Sequence, residues 1–104
     1  MRSKTDSYLG LAKKAGRLLT GTDTCRQAVK SGKLKLIIIA EDTAPGSLKK
    51  MRNAAVSHEI PWRVFGSSDE LSRATGNSGR YVFGITDAGF ADVIIKEIDG
   101  NKEV

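Results

Sequence analysis

The apolar positions of this chain switch repeatedly between a helical and an extended period, and most switches fall on a glycine, a proline or a capping residue. Tyr8, Leu11, Ala12 and Ala15 recur at helical spacing. A first helix is therefore expected over Lys4 to Ala15, with Ser3 as cap, Asp6 in the first turn and Gly16 at the stop. A short strand follows at Leu18 to Thr20. A second helix, from about Asp23 to Ser31, has Cys25, Ala28 and Val29 as its apolar side and closes at Gly32. Leu34 to Ala40 is the strongest strand signal, and its unbroken run from Leu36 predicts a central strand covered by helices on both faces.

A third helix is expected after Asp42 or Thr43 as cap, with Pro45 in its first turn and Leu48, Met51, Ala54 and Ala55 as its stripe. Pro61 blocks its continuation, and Trp62 to Phe65 reads as a strand. Ser67 and Glu70 have capping-box spacing for a short helix through Ala74. Gly76-Asn77-Ser78-Gly79 is a loop, Arg80 to Ile85 a strand, and Asp87 caps a last helix with Phe90, Val93, Ile94 and Ile98 inward. This alternation predicts an α/β fold, a three-layer α/β/α sandwich around a mixed sheet of about four strands. One domain is expected over residues 1–98, followed by a frayed tail, 99–104.

A chain of 104 residues supports one core without a disulfide or a structural metal. The single cysteine, Cys25, excludes an internal disulfide and a cysteine zinc cluster, and a reducing, cytoplasmic setting is the simpler expectation. No apolar run approaches the ~18 residues of a membrane span. The first six residues lack the apolar stretch of a secretory signal. No cofactor or membrane is therefore expected.

Charge changes the picture more. The net charge is +5 and the pI about 9.6. Residues 1–35 carry nine Lys or Arg against two acids, a formal +7, whereas residues 64–104 carry four against seven, a formal −3. Such an asymmetry fits one face turned to a polyanion. Lys13, Lys14, Arg17, Arg26, Lys30, Lys33 and Lys35 surround the start of the second helix. There Gly21 permits close backbone approach. Thr22, Asp23 and Thr24 offer short polar side chains beside helix N-terminal amides, with Gln27 one turn on. Thr and Asp at a helix start are more commonly simple caps.

The run G-x-x-x-x-G-T-x-x-x-x-x-A-V-x-x-G-x-x-K-L-x-I-I-A-E-D, from Gly16 to Asp42, resembles the large-subunit ribosomal proteins seven-Ae and thirty-e, the kink-turn RNA-binding family. The likeness continues through Ile60-Pro61, Leu71-x-x-Ala74-x-Gly76 and the last strand and helix, covers roughly residues 5–98, and is greatest to the small stand-alone bacterial YlxQ-type members. It implies a monomeric RNA-binding protein that joins the ribosome or another ribonucleoprotein. In the family a G-x-N-E-x-x-K motif meets the RNA. Gly21 is kept here, while Asp23, Thr24 and Gln27 replace the Asn, Glu and Lys. On an RNA-binding reading, Gly21 and Thr22 are expected to set the close backbone approach, Asp23 and Thr24 to contact guanine edges, and Arg17, Arg26, Gln27 and Lys30, with Lys13, Lys14 and Lys33, to meet phosphates. The loop Gly76, Asn77, Ser78 and Gly79, with Arg80, would flank the kinked bases, but it is more polar than the family's apolar cover.

Other chemistry is thin. A catalytic Cys25 wants a histidine beside it, and the one histidine, His58, is expected to end the third helix. Trp62 reads as core in preference to a stacking platform, Lys49, Lys50 and Arg52 as a solvated face, and Ser67 and Ser68 as caps. A non-enzymatic RNA binder is the leading expectation. A protein–protein module on the same fold, with little RNA specificity, is the alternative, and a small enzyme using Cys25 or an acid pair is the weaker rival.

Overall fold

The structure, a computed structural model, describes residues 3–101. Along the described residues the elements are α1 (Lys4–Lys14), β1 (Leu18–Thr20), α2 (Thr22–Lys30), β2 (Leu36–Ile39), α3 (Pro45–Ser57), β3 (Trp62–Val64), α4 (Ser68–Ala74), β4 (Val82–Ile85) and α5 (Ala88–Asn101). The strands form one mixed sheet in the order β1-β4-β2-β3. β4 pairs antiparallel with β1 and β2, and β3 joins β2 in parallel. β2 and β4 are thus the central strands, and every residue of both is buried.

Alternation along these strands builds two cores. Leu36, Ile38, Phe83 and Ile85 face α1, α4 and α5, where Leu9, Ala12, Leu71, Ile94 and Ile98 meet them. Ile37, Ile39 and Val82 face α2 and α3, where Cys25, Val29, Met51 and Ala55 close the other side. Helices on both faces of a mixed sheet make the three-layer sandwich that the sequence pattern predicts. Gly84 sets how closely α2 approaches, because a Cβ there would fall 2.5 Å from Leu34 Cδ2 and 3.3 Å from Cys25 Sγ.

The caps at Ser3, Ser67 and Asp87 form as expected. Ser3 Oγ accepts from the Asp6 amide at 3.1 Å, Ser67 Oγ from Glu70 at 3.0 Å, and Asp87 Oδ2 from Phe90 at 2.9 Å. Four details differ from the expectation. The inward stripe of α1 is Thr5, Leu9 and Ala12, with Tyr8 half-buried; Leu11 is 51% exposed and Ala15 is also exposed, so the helical phase is set by Leu9. Val93 of α5 is exposed, and Ala91 takes the inward position. The N-cap of α3 is Ala44, with no side-chain cap. Asp42 reaches across to α4 instead, accepting from Ser68 N at 2.7 Å and Ser68 Oγ at 2.6 Å. These bonds hold the Asp42 carboxyl below its ordinary range. Finally, α5 continues through Asn101, where Arg63 grips Asp99 with two bonds of 2.8 and 2.9 Å. Of the expected tail, residues 102–104 lie outside the described residues.

Candidate nucleic-acid interface

The start of α2 is built by backbone geometry. Gly21 is its N-cap at φ 100°, ψ 147°, a conformation open to glycine and strained for other residues, and no side chain caps the helix. Thr22, Asp23 and Thr24 are therefore first-turn residues and not caps. Their amides have no intrahelical acceptor and carry the positive end of the helix dipole. Gly21 N donates to Val82 O at 2.8 Å, which ties this turn to the first residue of β4.

The same tie brings in Arg80. The guanidinium Nη1 lies 3.4 Å from where a Cβ on Gly21 would stand, so the cation sits over the bare backbone of the turn. Arg80 is held from behind by buried Ser72 of α4. Its amide donates to Ser72 Oγ at 3.0 Å, and Ser72 Oγ donates to its carbonyl at 3.1 Å. The loop between them is fixed as well. Gly76, at φ 71°, lets the chain turn back so that Asn77 N reaches Ser72 O at 2.7 Å, and Asn77 Nδ2 donates to Thr75 O and Oγ1 at 3.2 and 3.0 Å. Ser78, Gly79 and Arg80 are exposed at its tip.

Asp23, Thr24, Arg26 and Gln27 are all exposed on α2. Arg26 lies 3.8 Å from Asp23, with Asp23 91% exposed, a pair weak enough to yield to a ligand. Beside the turn is a hollow of about 300 Å³ lined by Thr22, Asp42, Thr43, Ala44, Ser47 and Tyr81. Tyr81, 43% exposed, is a ring that sequence reading passed over as part of a strand. Ser72 was missed too, because nothing in a short, polar helix marks one serine as buried.

The predicted basic residues divide. Lys13 and Lys14 line a groove with Ala74, Thr75 and Gly76, next to the loop that carries Arg80. Arg17, Lys30 and Lys33 are not brought beside Gly21. Arg17 precedes β1, where its carbonyl accepts from Thr86 N at the opposite end of the strand, ~13 Å of extended chain from Gly21. Lys30 ends α2, about 13 Å along its axis from Gly21, and Lys33 lies just beyond it. All three are close to Gly21 in sequence but separated from it by the length of β1 or of α2.

Cys25 is fully buried, its Sγ 4.0 Å from Leu19 O, and burial pushes its thiol up to about 12. A thiol in that state supplies no thiolate near neutral pH, so Cys25 is a packing residue. Trp62 packs against the α2–α3 core. No helix among the described residues is long and apolar enough to cross a membrane.

The chain is thus a small three-layer α/β/α module with an uncapped helix start beside an arginine. The chain matches the Ribosomal protein L7Ae/L30e/S12e/Gadd45 family over residues 3–95, and it belongs to that family. It is 30% identical over 91 residues to the RNA-binding protein YlxQ of Bacillus subtilis (strain 168), covering 88% of this chain and 91% of that protein. It is 32% identical over 99 residues to RNA-binding protein YlxQ of Enterococcus faecium, with 95% of each chain covered. Among solved structures, a Bacillus halodurans protein of unknown function superposes with a TM-score of 0.92 at 38% identity, covering 94% of this chain and 99% of the other. The Giardia lamblia 15.5kD RNA binding protein superposes with a TM-score of 0.79 at 22% identity, covering 91% and 84%, and shares the fold.

Proposed function

We propose that this protein binds structured RNA, of kink-turn-like form, through the start of α2 and the loop ending at Arg80. The observation that carries this reading is the Arg80 guanidinium lying against Gly21 beside uncapped first-turn amides. Family membership and the two RNA-binding YlxQ relatives support it. Gly21 and Thr22 admit a strand close to backbone. Asp23 accepts from guanine edges and Thr24 offers a hydroxyl, while Arg26 and Gln27 serve the flanking phosphates. Arg80 stacks on or pairs with the kinked strand, and the loop Gly76, Asn77, Ser78 and Gly79 borders it. Lys13 and Lys14 extend the basic field on the α1 side. Arg17, Lys30 and Lys33 act on phosphates of a flanking stem, away from the kink.

In this reading the protein is a monomer when free, works in the cytoplasm without catalysis, and joins the ribosome or another ribonucleoprotein. Titration of a kink-turn RNA and a matched plain duplex tests it. A clear preference for the kink is expected. Equal binding leaves only general RNA affinity, and no binding to either at moderate salt favours the protein–protein alternative.

A further inference from the structure

A groove between α1 and the end of α4 borders the proposed RNA contacts at Lys13, Lys14 and Gly76, but its apolar wall, Leu11 and Ala74, has no part in them. The two helices touch at Gly10, where a Cβ would fall 3.0 Å from Ala74 O. Beyond that contact they part and leave a hollow of about 430 Å³, lined among others by Leu11, Lys13, Lys14, Ala74, Thr75 and Gly76. That volume lies in the range of small-molecule sites. Leu11 is 51% exposed on the wall, although its neighbours Leu9 and Ala12 are fully buried. Lys14 lies three residues on, the spacing that puts two side chains on one helix face. No carboxylate lines the groove. Its α4 wall is rigid, because Thr75 Oγ1 donates to Leu71 O at 3.0 Å and receives Asn77 Nδ2.

We propose that this groove holds one unpaired nucleotide of the bound RNA, its base against Leu11 and Ala74 and its phosphates at Lys13 and Lys14. The inference rests on the RNA-binding reading. Two arguments choose this occupant. The wall offers one large apolar side chain under two cations, which suits a flat base with an anionic backbone and is too small for the face of a partner helix. The groove also shares Gly76 with the loop whose tip carries Arg80, so it adjoins the proposed RNA contacts.

A short oligouridine tests this without the kink. Fluorescein-labelled oligouridine should bind at low salt and, when carrying 4-thiouridine, crosslink to the α1 segment containing Leu11. Leu11→Ser, at an exposed position that leaves the core intact, should weaken binding about fivefold. Lys13→Glu with Lys14→Glu should lower the slope of log K against log salt by ~1.4, for two phosphates on a single strand. Leu11→Ser should retain most of the affinity for a kink-turn without single-stranded tails. Crosslinks confined to Gly21–Gln27, or affinity unchanged in both variants, overturns the groove while leaving the RNA reading intact. A chain that binds neither RNA overturns both.

Discussion

Arg80 and Gly21 lie at opposite ends of the sequence's α/β pattern, yet Arg80 Nη1 stands 3.4 Å from the position a Cβ on Gly21 would take. Pairing of β1 with β4, with Thr20 opposite Phe83, brings them together. The cation then covers the point where α2 begins, and the proposed function follows from that overlap of a guanidinium with free amides.

Replacing Arg80 is the first consequence. Arg80→Ala should weaken binding of kinked RNA about tenfold, or ~1.4 kcal/mol. Arg80→Lys should restore only part of it, because an ammonium keeps the charge and loses the planar fork. Lys33→Ala, beyond the far end of α2, should cost distinctly less. Fluorescence anisotropy at fixed salt measures all three, and equal losses for Arg80→Ala and Lys33→Ala contradict the placement.

Ser72 should act through Arg80. Its hydroxyl is buried and makes two bonds to the Arg80 backbone. Ser72→Ala is expected to cost ~1–2 kcal/mol of stability in a denaturant titration. It should also weaken RNA binding, but by less when Arg80 is already alanine. Strictly additive affinity losses would show that Ser72 does not position Arg80.

The replaced family motif gives a gain-of-function test. Asp23→Asn, Thr24→Glu and Gln27→Lys together supply an amide donor, a carboxylate acceptor and a cation on exposed positions of α2. Preference for a kink-turn over a plain duplex should rise by about tenfold or more, at ~1–3 kcal/mol for each well-placed bidentate group. An unchanged ratio would place kink recognition elsewhere.

Asp6 makes stability depend on pH. Burial, with the Glu70 carboxyl beside it, raises its pKa from 3.8 to about 6. The folded state therefore holds this proton more tightly than the unfolded chain, and the stabilisation, complete below about pH 4, is lost as pH rises through about 6. Asp6→Asn, which keeps a donor toward Glu70 at any pH, should gain on the order of 1 kcal/mol near pH 8 and little near pH 4. Paired thermal melts across that range test it, and a gain independent of pH contradicts the buried carboxyl.

Local physics made much of this molecule readable from residues alone. The run Leu36–Ile39 marks a doubly covered strand, and Ser67 and Asp87 are caps whose partners lie three residues away. What depends on distant pairing was not readable. Asp42 reads as a local cap and turns out to hold Ser68, because β2 and β3 run parallel and end side by side. The stripe of α1 slipped because Leu11 and Leu9 are equally apolar, and only contact with the sheet decides which turns inward. Gly21 to Thr24 stood out in sequence, but Arg80, Tyr81 and Ser72 join them only once β4 lies between β1 and β2.

Backbone amide shifts on adding a kink-turn RNA test the central claim most directly. Changes should concentrate at Gly21–Gln27 and Gly76–Tyr81, with α5 and the β3 edge unaffected. Shifts centred on α5 or β3, or none at saturating RNA, would contradict it.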